Sequence, residues 1–193
     1  MGKSVFRVIK GTVPVLLSAP HALPHRRPSL TLSYKWGEQY TDTIVMEVCA
    51  NTGCWGIVQT DETSFDANYH KLEDNPYKEE ITKVVKSNKI IKFIDIHGLN
   101  DIHRYDLGVY YQSKFFNSIN LANAVVKAVN KGKLKGINAC IFRFEEDNQE
   151  ELGEYVAAKL RVPSVQLEIA RYIREDEGLR NAFIENLSSY IIV

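Results

Sequence analysis

The sequence lacks an excess of charge of either sign. Its 193 residues include 24 Lys plus Arg and 24 Asp plus Glu, so the formal net charge is zero at pH 7. A general nucleic-acid-binding protein normally carries a basic excess. An intrinsically disordered chain is poorer in apolar residues than the 45% found here. We therefore expect a globular protein with a sizeable buried core and no nucleic-acid partner.

Cysteine is scarce and has no paired spacing. Cys49, Cys54 and Cys140 are odd in number and form no C-x-x-C motif, which argues against a disulfide framework and against a cysteine-based zinc knuckle. All three lie in apolar segments, where a thiol usually fills core space. A reduced, cytoplasmic setting is the expectation from this pattern.

Long apolar runs and glycine-rich phosphate loops are also missing. No stretch reaches the roughly 20 apolar residues that span a bilayer. Arg7, Lys10 and Pro14 interrupt the N-terminal segment where a signal peptide needs a continuous apolar core. Neither G-x-G-x-x-G nor G-x-x-x-x-G-K-[ST] occurs. We expect neither a membrane-spanning segment nor a nucleotide site.

The sequence does contain a regular alternation of β-rich runs and amphipathic segments. Its length is typical of one domain, residues 1–193. We predict strands at Val13–Ser18, Cys54–Gln59, Ile90–Ile96, Leu107–Gln112, Ile137–Phe144 and Val165–Ile169. Helices are predicted at Glu38–Asn51, 75–87, Ile119–Lys131, Glu150–Leu160 and from Glu177 onward. This pattern predicts an α/β protein, a three-layer α/β/α sandwich of the phosphorylase/hydrolase type with a mixed, mostly parallel central sheet.

Polar and potentially reactive residues follow several of these strands. His21 comes after the first strand, and Asp61 and Glu62 come after the second. His97 ends the central strand, and Glu168 lies within the last one. In open α/β sheets, ligands bind at the carboxyl ends of the strands. We therefore expect a functional site at this edge of the sheet.

His97 and His21 are candidate metal ligands. Asp95 lies two residues before His97, so both side chains point to one face of the strand, and Asp95 can accept one imidazole N–H while the other nitrogen binds metal. The alternative is a strand-end histidine that pairs with a carboxylate and binds no metal. Zinc commonly takes two imidazoles and one carboxylate. Glu38 or Asp42, one helical turn apart, can supply that carboxylate, although acidic residues also favour helix N-termini without any ligand.

Glu168 is the candidate general base. It lies in an apolar run with Val165, Leu167 and Ile169, where a buried carboxyl is costly unless it has a partner or a function. A raised pKa in such surroundings suits a base that accepts a proton from metal-activated water. The alternative is that strand alternation turns Glu168 to solvent together with Gln166.

Together these residues resemble the N-formylglutamate amidohydrolase-like family, within the broader zinc carboxypeptidase-like group. The matching pieces run in the family's order across about 150 residues: Pro20-His21, Tyr40-Thr41-Asp42, Asp66-Ala67-Asn68, Ile94–Gly98 and Gln166–Ile169. The resemblance implies zinc held by His21, His97 and an acid between them, with Glu168 as base and proton shuttle. The aspartate of the amidohydrolase pattern corresponds to Asp42, whereas Glu38 resembles the carboxypeptidase-type glutamate.

The resemblance also implies residues that bind substrate. Asp66-x-Asn68 resembles an Asp-Leu-Asn-Arg segment whose Asn and Arg contact a substrate carboxylate, but Tyr69 stands at the arginine position here. Tyrosine cannot provide a bidentate cationic clamp. Another arginine would then take this role, and the candidates are Arg26, Arg104 and Arg171. The candidates to donate a hydrogen bond to a developing oxyanion are Tyr69, Tyr105 and Tyr172. His25 and His70 are expected outside the set of metal ligands.

Three functions are compatible with the sequence. The first is an amidohydrolase with Zn²⁺ as cofactor that cleaves a small N-acyl amino acid or a peptide-like amide. The second is a non-catalytic module on the same fold that binds a small molecule or a protein partner. The third is a cysteine hydrolase that uses Cys140 and a histidine, although a strand-buried thiol is usually inert. The resemblance favours the first.

Overall fold

A seven-stranded sheet with helices on both faces is the framework of this computed structural model, which describes residues 4–27, 34–112, 115–143 and 150–192. The strands are β1 (Phe6–Ile9), β2 (Val13–Ala19), β3 (Cys54–Gln59), β4 (Lys92–Gly98), β5 (Leu107–Tyr111), β6 (Ala139–Arg143) and β7 (Ser164–Ile169). The helices are α1 (Thr41–Thr52), α2 (Pro76–Asn88), α3 (Phe116–Val129), α4 (Leu152–Lys159), α5 (Arg171–Glu175) and α6 (Glu177–Ile192). Among the described residues, no helix has both the length and the apolar composition needed to cross a bilayer.

Most strand pairings in the sheet are parallel. The strand order is β1-β3-β2-β4-β7-β5-β6. The pairs β1–β3 and β5–β7 are antiparallel, and the other four neighbouring pairs are parallel. The sheet is therefore mixed and mostly parallel with helices on both sides, which confirms the predicted α/β/α architecture.

Alternate residues along each strand pack into two separate cores. On β2, Leu17 belongs to the core beneath α1, α3 and α6, whereas Leu16 belongs to the opposite core with α2 and α4. On β4, Ile94 and Phe93 are divided in the same way. Because both faces of the sheet are covered, most residues of the central strands are buried. A polar side chain on such a strand therefore has to find a partner or lie at the strand end.

Several element boundaries differ from the sequence predictions. The edge strand β1 was not predicted, because it has only four residues and one of them is Arg7. The helix expected from Glu38 begins at Thr41, because the residue before it, Tyr40, has a left-handed backbone with φ of 67°. The short α5, directly after β7, was not predicted either. Phe144, the last residue of one predicted strand, lies outside the described residues.

The three central strands end side by side. β2, β4 and β7 are adjacent and parallel, so their carboxyl ends lie at one edge of the sheet. His21 follows the end of β2 by two residues. His97, near the end of β4, is paired in register with Glu168 of β7. The topology thus brings together three residues that are far apart in the sequence.

Candidate metal centre

Two histidines and one glutamate converge at this edge of the sheet. Nδ1 of His21 lies 3.6 Å from Oε1 of Glu38, and Nδ1 of His97 lies 3.4 Å from Oε2 of the same carboxylate. The possible ligand atoms of the three residues all lie within 4.8 Å of one another. The two imidazole rings are nearly perpendicular, with their centroids 4.9 Å apart. Since zinc bonds to nitrogen and oxygen are about 2.0–2.2 Å long, one ion can contact all three groups.

Glu38 reaches the histidines from the extended segment before α1. Its backbone N–H donates to the carbonyl of His21 at 2.8 Å, and its Oε2 accepts the backbone N–H of Gly98 at 2.9 Å. A Cβ at position 98 would lie 3.0 Å from the Cβ of Glu38 and 2.8 Å from the guanidinium of Arg174. Asp42 lies in the first turn of α1, and the structure does not bring it to the histidines. Among the described residues, Glu38 is therefore the acid that lies within ligand distance of both histidines, and Asp42 is outside that group.

A buried carboxylate holds the far nitrogen of each imidazole. Nε2 of His97 lies 2.9 Å from Oδ2 of Asp95, and Nε2 of His21 lies 2.9 Å from Oδ1 of Asp66. Both aspartates are fully buried. When the carboxylate accepts the proton on Nε2, the Nδ1 atom of each ring presents its lone pair toward Glu38. Asp95 thus lies where its spacing from His97 predicts.

The electrostatics of this cluster favour a cation. Burial alone would lower the pKa of His21, but hydrogen bonds with Asp66 and Glu38 raise it to about 9. Burial alone would likewise lower the pKa of His97, and the charges of Asp95 and Glu38 raise it well above its usual value. Carboxylates therefore dominate the local potential, and a divalent ion can take the place of the imidazole protons. Two nitrogen donors and one carboxylate, each with an outer hydrogen-bond partner, fit zinc.

Asp66 lies at the centre of a neighbouring network. Its Oδ1 also accepts the backbone N–H of Asn68 at 2.9 Å, and its Oδ2 accepts from Nε of Arg27 at 2.9 Å. Nε2 of His25 lies 3.5 Å from the same Oδ2. Burial would raise the pKa of Asp66, but its contacts with His21, His25 and Arg27 hold that pKa well below its usual range. Asp66 is thus a permanently charged partner for His21.

A second group of residues, His21, His25 and Asp66, is also close enough together to hold a metal ion. The geometry of this group indicates instead that His25 and Asp66 hold the His21 ring in place. The two rings are stacked, with an interplanar angle of 9° and centroids 4.0 Å apart. Their nitrogen lone pairs therefore run side by side and do not converge on one ion. Arg27 already supplies a positive charge to Asp66. The stack and Arg27 together fix the orientation of the His21 ring.

Glu168 lies beside His97 on the neighbouring strand. The two residues are register partners, so their side chains leave the sheet on the same face. Nε2 of Gln166 donates to Oε1 of Glu168 at 2.8 Å. Burial raises the pKa of Glu168 to about 7, although the charge of His97 acts in the opposite direction. Glu168 therefore lies at the site as a half-buried acid and is not turned out to bulk solvent.

The sequence analysis missed a further carboxyl group near the site. Glu151 immediately precedes α4, and its side chain does not cap that helix. Burial raises the pKa of Glu151, while the charges of His97 and His21 lower it. Nothing in the local sequence distinguishes Glu151 from Glu150 or Glu154, so no sequence signal was available.

Asn68 and Tyr69 have structural contacts in place of the predicted substrate contacts. Asn68 is 4% exposed, and its Oδ1 accepts the backbone N–H of Leu152 at 3.1 Å, which ties the start of α4 to the Asp66 loop. The Tyr69 ring lies under the guanidinium of Arg27, 4.2 Å from its centroid. His70, expected outside the ligand set, accepts the backbone N–H of Asp66 through Nδ1. The predicted carboxylate-binding segment thus contacts His21, a candidate metal ligand, through Asp66.

The remaining candidates from the sequence contact other residues. The hydroxyl group of Tyr105 is 3.0 Å from that of Tyr110, and Tyr172 is half-exposed on α5. Cys140 lies on β6, the outermost strand, and its Sγ faces Asn138. The position of Cys140 at the far edge of the sheet removes the basis for a cysteine hydrolase.

A groove of about 780 Å³ opens beside the candidate centre. It is lined by residues 22–24, 35–39, 98–101, 171, 174 and 175. Arg171 lines the groove, whereas Arg26 and Arg104 are exposed outside its lining. Arg174, which the sequence analysis missed, is buried and donates from Nε to the carbonyl of Ile169 at 3.0 Å and from Nη1 to the carbonyl of Gln39. No sequence signal separates this buried arginine from surface arginines.

Comparisons with known proteins define the fold class. The sequence matches no protein-family profile and no curated protein. The gene product Atu2144 of Agrobacterium tumefaciens matches with a TM-score of 0.71 and 14% identity, over 97% of this chain and 92% of that chain. The catalytic domain of CwlV, an N-acetylmuramoyl-L-alanine amidase from Bacillus (Paenibacillus) polymyxa, matches with a TM-score of 0.54 and 16% identity, over 92% and 95%. A metallo-carboxypeptidase from Burkholderia cenocepacia matches with a TM-score of 0.57 and 12% identity, over 92% and 56%. The chain thus shares the α/β fold of these proteins, and the resemblance to N-formylglutamate amidohydrolases stays a prediction.

Proposed function

We propose that this chain, as one domain over residues 1–193, is a zinc-dependent amidohydrolase for an N-acyl amino acid or peptide-like amide, similar to the N-formylglutamate amidohydrolases. The observation that carries the proposal is the convergence of His21, His97 and Glu38 at the strand end where Glu168 is the register partner of His97. The fold shared with an amidase and a metallo-carboxypeptidase supports the same chemistry.

His21, Glu38 and His97 would hold the ion. When bound, zinc supplies a Lewis acid that polarises an amide carbonyl and lowers the pKa of water. Asp66 and Asp95 hold the two imidazoles in the orientation that directs Nδ1 to the ion. The Gly98 N–H holds Oε2 of Glu38, so each of the three donors has a partner that fixes its position before substrate binds.

Glu168 would move the proton. Its Oε1 already accepts from Gln166, so Oε2 is the oxygen left to take a proton from water and deliver it to the leaving amine nitrogen. A carboxyl group with a pKa of about 7 can do both near neutral pH. The products are a carboxylic acid and an amine, which accounts for both hydrogens of the water.

The substrate side of the proposal rests on Arg171 and on the charge balance of the chain. Arg171 is the predicted carboxylate-binding arginine that lines the groove beside Glu38, which supports a small acidic amide substrate. The equal numbers of acidic and basic residues support a protein without a nucleic-acid partner. The cytoplasmic setting stays a prediction from the cysteine pattern.

The test combines metal analysis with a matched pair of variants. We expect purified protein to contain one zinc ion per chain and to hydrolyse members of an N-acyl amino acid panel, with activity lost in chelator and restored by zinc. Glu168→Gln should lower kcat at least 10³-fold and keep the zinc, because the amide cannot accept the proton. Glu47→Gln, an exposed glutamate on α1, should behave as the parent protein.

Two outcomes would contradict the proposal. Failure to bind zinc at stoichiometric level would remove the metal centre. Zinc binding without turnover of any acylated amino acid or peptide would favour the alternative, a non-catalytic binding module on this fold.

A further inference from the structure

The groove beside the candidate centre is larger than an N-acyl amino acid needs. Its lining includes Glu38 and Gly98, the residue after His97. Its volume of about 780 Å³ lies in the upper part of the range for ligand pockets, roughly 300–1,000 Å³. At roughly 30 Å³ per water-sized group, it has room for about 26 non-hydrogen atoms. An N-acetyl amino acid has about half as many.

One wall of the groove carries an exposed indole. Trp36 is 84% exposed and meets Tyr34 edge-on, with ring centroids 6.3 Å apart. Residues 4–27 and 34–112 include no aromatic side chain with a larger exposed fraction. An apolar ring in this position gains stabilisation when a ligand covers it, by about 25 cal/mol per Å² removed from water.

The backbone around Trp36 is fixed, so its exposure is built into the fold. Lys35 and His25 exchange two backbone hydrogen bonds, of 2.9 and 3.1 Å. A Cβ at Gly37 would lie 2.5 Å from the carbonyl oxygen of Ala22, so the segment is pressed against the chain that follows β2. Glu38 is held by His21 and Gly98. The backbone at Trp36 is therefore held in place together with that of Glu38, the candidate metal ligand.

The floor and the opposite wall of the groove are polar. Arg174 lies flat against Gly98, and its recorded hydrogen bonds go to neutral backbone carbonyls. On the opposite wall, Nε of Arg171 pairs with Glu175 at 2.6 Å. Polar groups on one side and an indole on the other suit a chain with a polar backbone and apolar side chains. A compact acidic amide would leave the indole uncovered.

On this basis we propose that the substrate is an extended, peptide-like chain of about three residues or more, whose apolar side chain packs on Trp36. This inference rests on the proposed amidohydrolase function, because the scissile amide is placed at the His21, Glu38 and His97 end of the groove. Under this inference the preferred substrate is a peptide and not a single N-acyl amino acid, and Trp36 is a specificity-determining residue.

The experiment uses N-acetylated leucine peptides of one to four residues. For the zinc-loaded protein, kcat/KM should rise about tenfold or more from one residue to three and then level off, because the groove is then filled. Trp36→Ala should raise KM about tenfold for the three-residue peptide with little change in kcat, and leave the one-residue substrate unaffected. The matched control is Ile91→Ala, since Ile91 is 56% exposed at the opposite end of β4.

Calorimetric binding of the same four peptides to zinc-loaded Glu168→Gln supplies a readout that does not depend on turnover. The three-residue peptide should bind about tenfold more tightly than N-acetyl-leucine, and this difference should vanish in the Glu168→Gln, Trp36→Ala double variant. A flat dependence on length, or a Trp36→Ala protein that behaves like Ile91→Ala, would overturn the inference even when N-acetyl-leucine is hydrolysed. Length-dependent binding without turnover by the parent protein would uphold the peptide site at Trp36 but reject the proposed function, and with it the peptide as a substrate.

Discussion

At the scale of single residues, position 38 and position 42 have different roles although both carry acids near the start of α1. Tyr40 takes a left-handed backbone and delays the helix to Thr41, so Glu38 stays on the extended segment that returns to His21. Asp42 is carried into the first helical turn, where an acid interacts favourably with the backbone N–H groups.

The two acids should therefore differ in their effect on metal binding. Glu38→Gln should weaken zinc binding more than about 100-fold, because one of three protein ligands loses its charge. Asp42→Asn should leave the zinc affinity within about twofold of the parent. Competition with a chromophoric chelator measures both constants. Equal losses in the two variants would mean that Glu38 is not the third ligand.

Glu168 should make the stability of the zinc-free protein depend on pH. Its pKa is about 7 when folded, against 4.5 as its ordinary value, so the folded state binds the proton more tightly than the unfolded state. Stability conferred by Glu168 is then highest below about pH 4.5, falls as the pH rises to 7 and is constant above. Glu168→Gln should match the parent near pH 4 and exceed its free energy of unfolding by about 3 kcal/mol above pH 8.

Urea denaturation in chelator, at several pH values from 4 to 9, measures this difference. If the difference in free energy of unfolding between the parent and Glu168→Gln stays constant with pH, Glu168 ionises normally in the folded protein.

The sequence identified those candidate site residues whose position relative to their own strand is unusual. His21, His97 and Glu168 stood out because each follows or interrupts an apolar run, and Asp95 because it lies two residues from His97. The role of Asp66 could not be derived in the same way, since it depends on contacts with His21 and Arg27 across about 40 positions of the chain. Arg174 and Glu151 have ordinary local sequences, and only the tertiary structure buries them.

At the scale of elements, α4 is attached to the site through one side chain. Oδ1 of Asn68 accepts the first N–H of α4, one of the donors that a helix cannot satisfy internally. The loop that carries Asn68 also carries Asp66, the partner of His21. α4 and the orientation of a metal ligand therefore depend on the same loop.

Asn68→Ala should destabilise the fold. The Leu152 N–H would lose its acceptor in a buried location, which costs about 1–3 kcal/mol, whereas zinc content should be retained because the Asp66 contact uses the backbone of Asn68. Asn123→Ala, on the exposed face of α3, should change the free energy of unfolding by less than about 0.5 kcal/mol. Thermal and urea denaturation measure the difference. An unchanged stability with a raised KM would instead make Asn68 a substrate-binding residue, as the family resemblance implies.

Element types were predictable from the sequence to a large extent, whereas their order in the sheet was not. The central strands are apolar runs bounded by turn residues, and their type follows from local pattern. β1 was not predicted, because a four-residue edge strand that contains an exposed Arg7 is too short to show a clear alternation of apolar and polar residues. The order β2-β4-β7 depends on pairing between segments about 75 residues apart, and that pairing is what creates the site.

At the scale of the whole molecule, β7 occupies an unusual place. It is the last strand in the chain, yet it lies between β4 and β5 in the sheet. β5 and β6 are joined to the other strands only through β7 among the described residues. The sheet is therefore two separate parts until residues 164–169 are inserted between them.

During synthesis, this arrangement delays completion of the sheet until β7 has been made. Everything up to α4 can emerge from the ribosome while two unfilled strand edges remain open to solvent, each able to pair with another polypeptide. Only when residue 169 has left the exit tunnel can the gap close. Until residues 164–169 are in place, β4 and β5 each have an unpaired edge, so the intermediate that precedes insertion of β7 is open to pairing with another polypeptide.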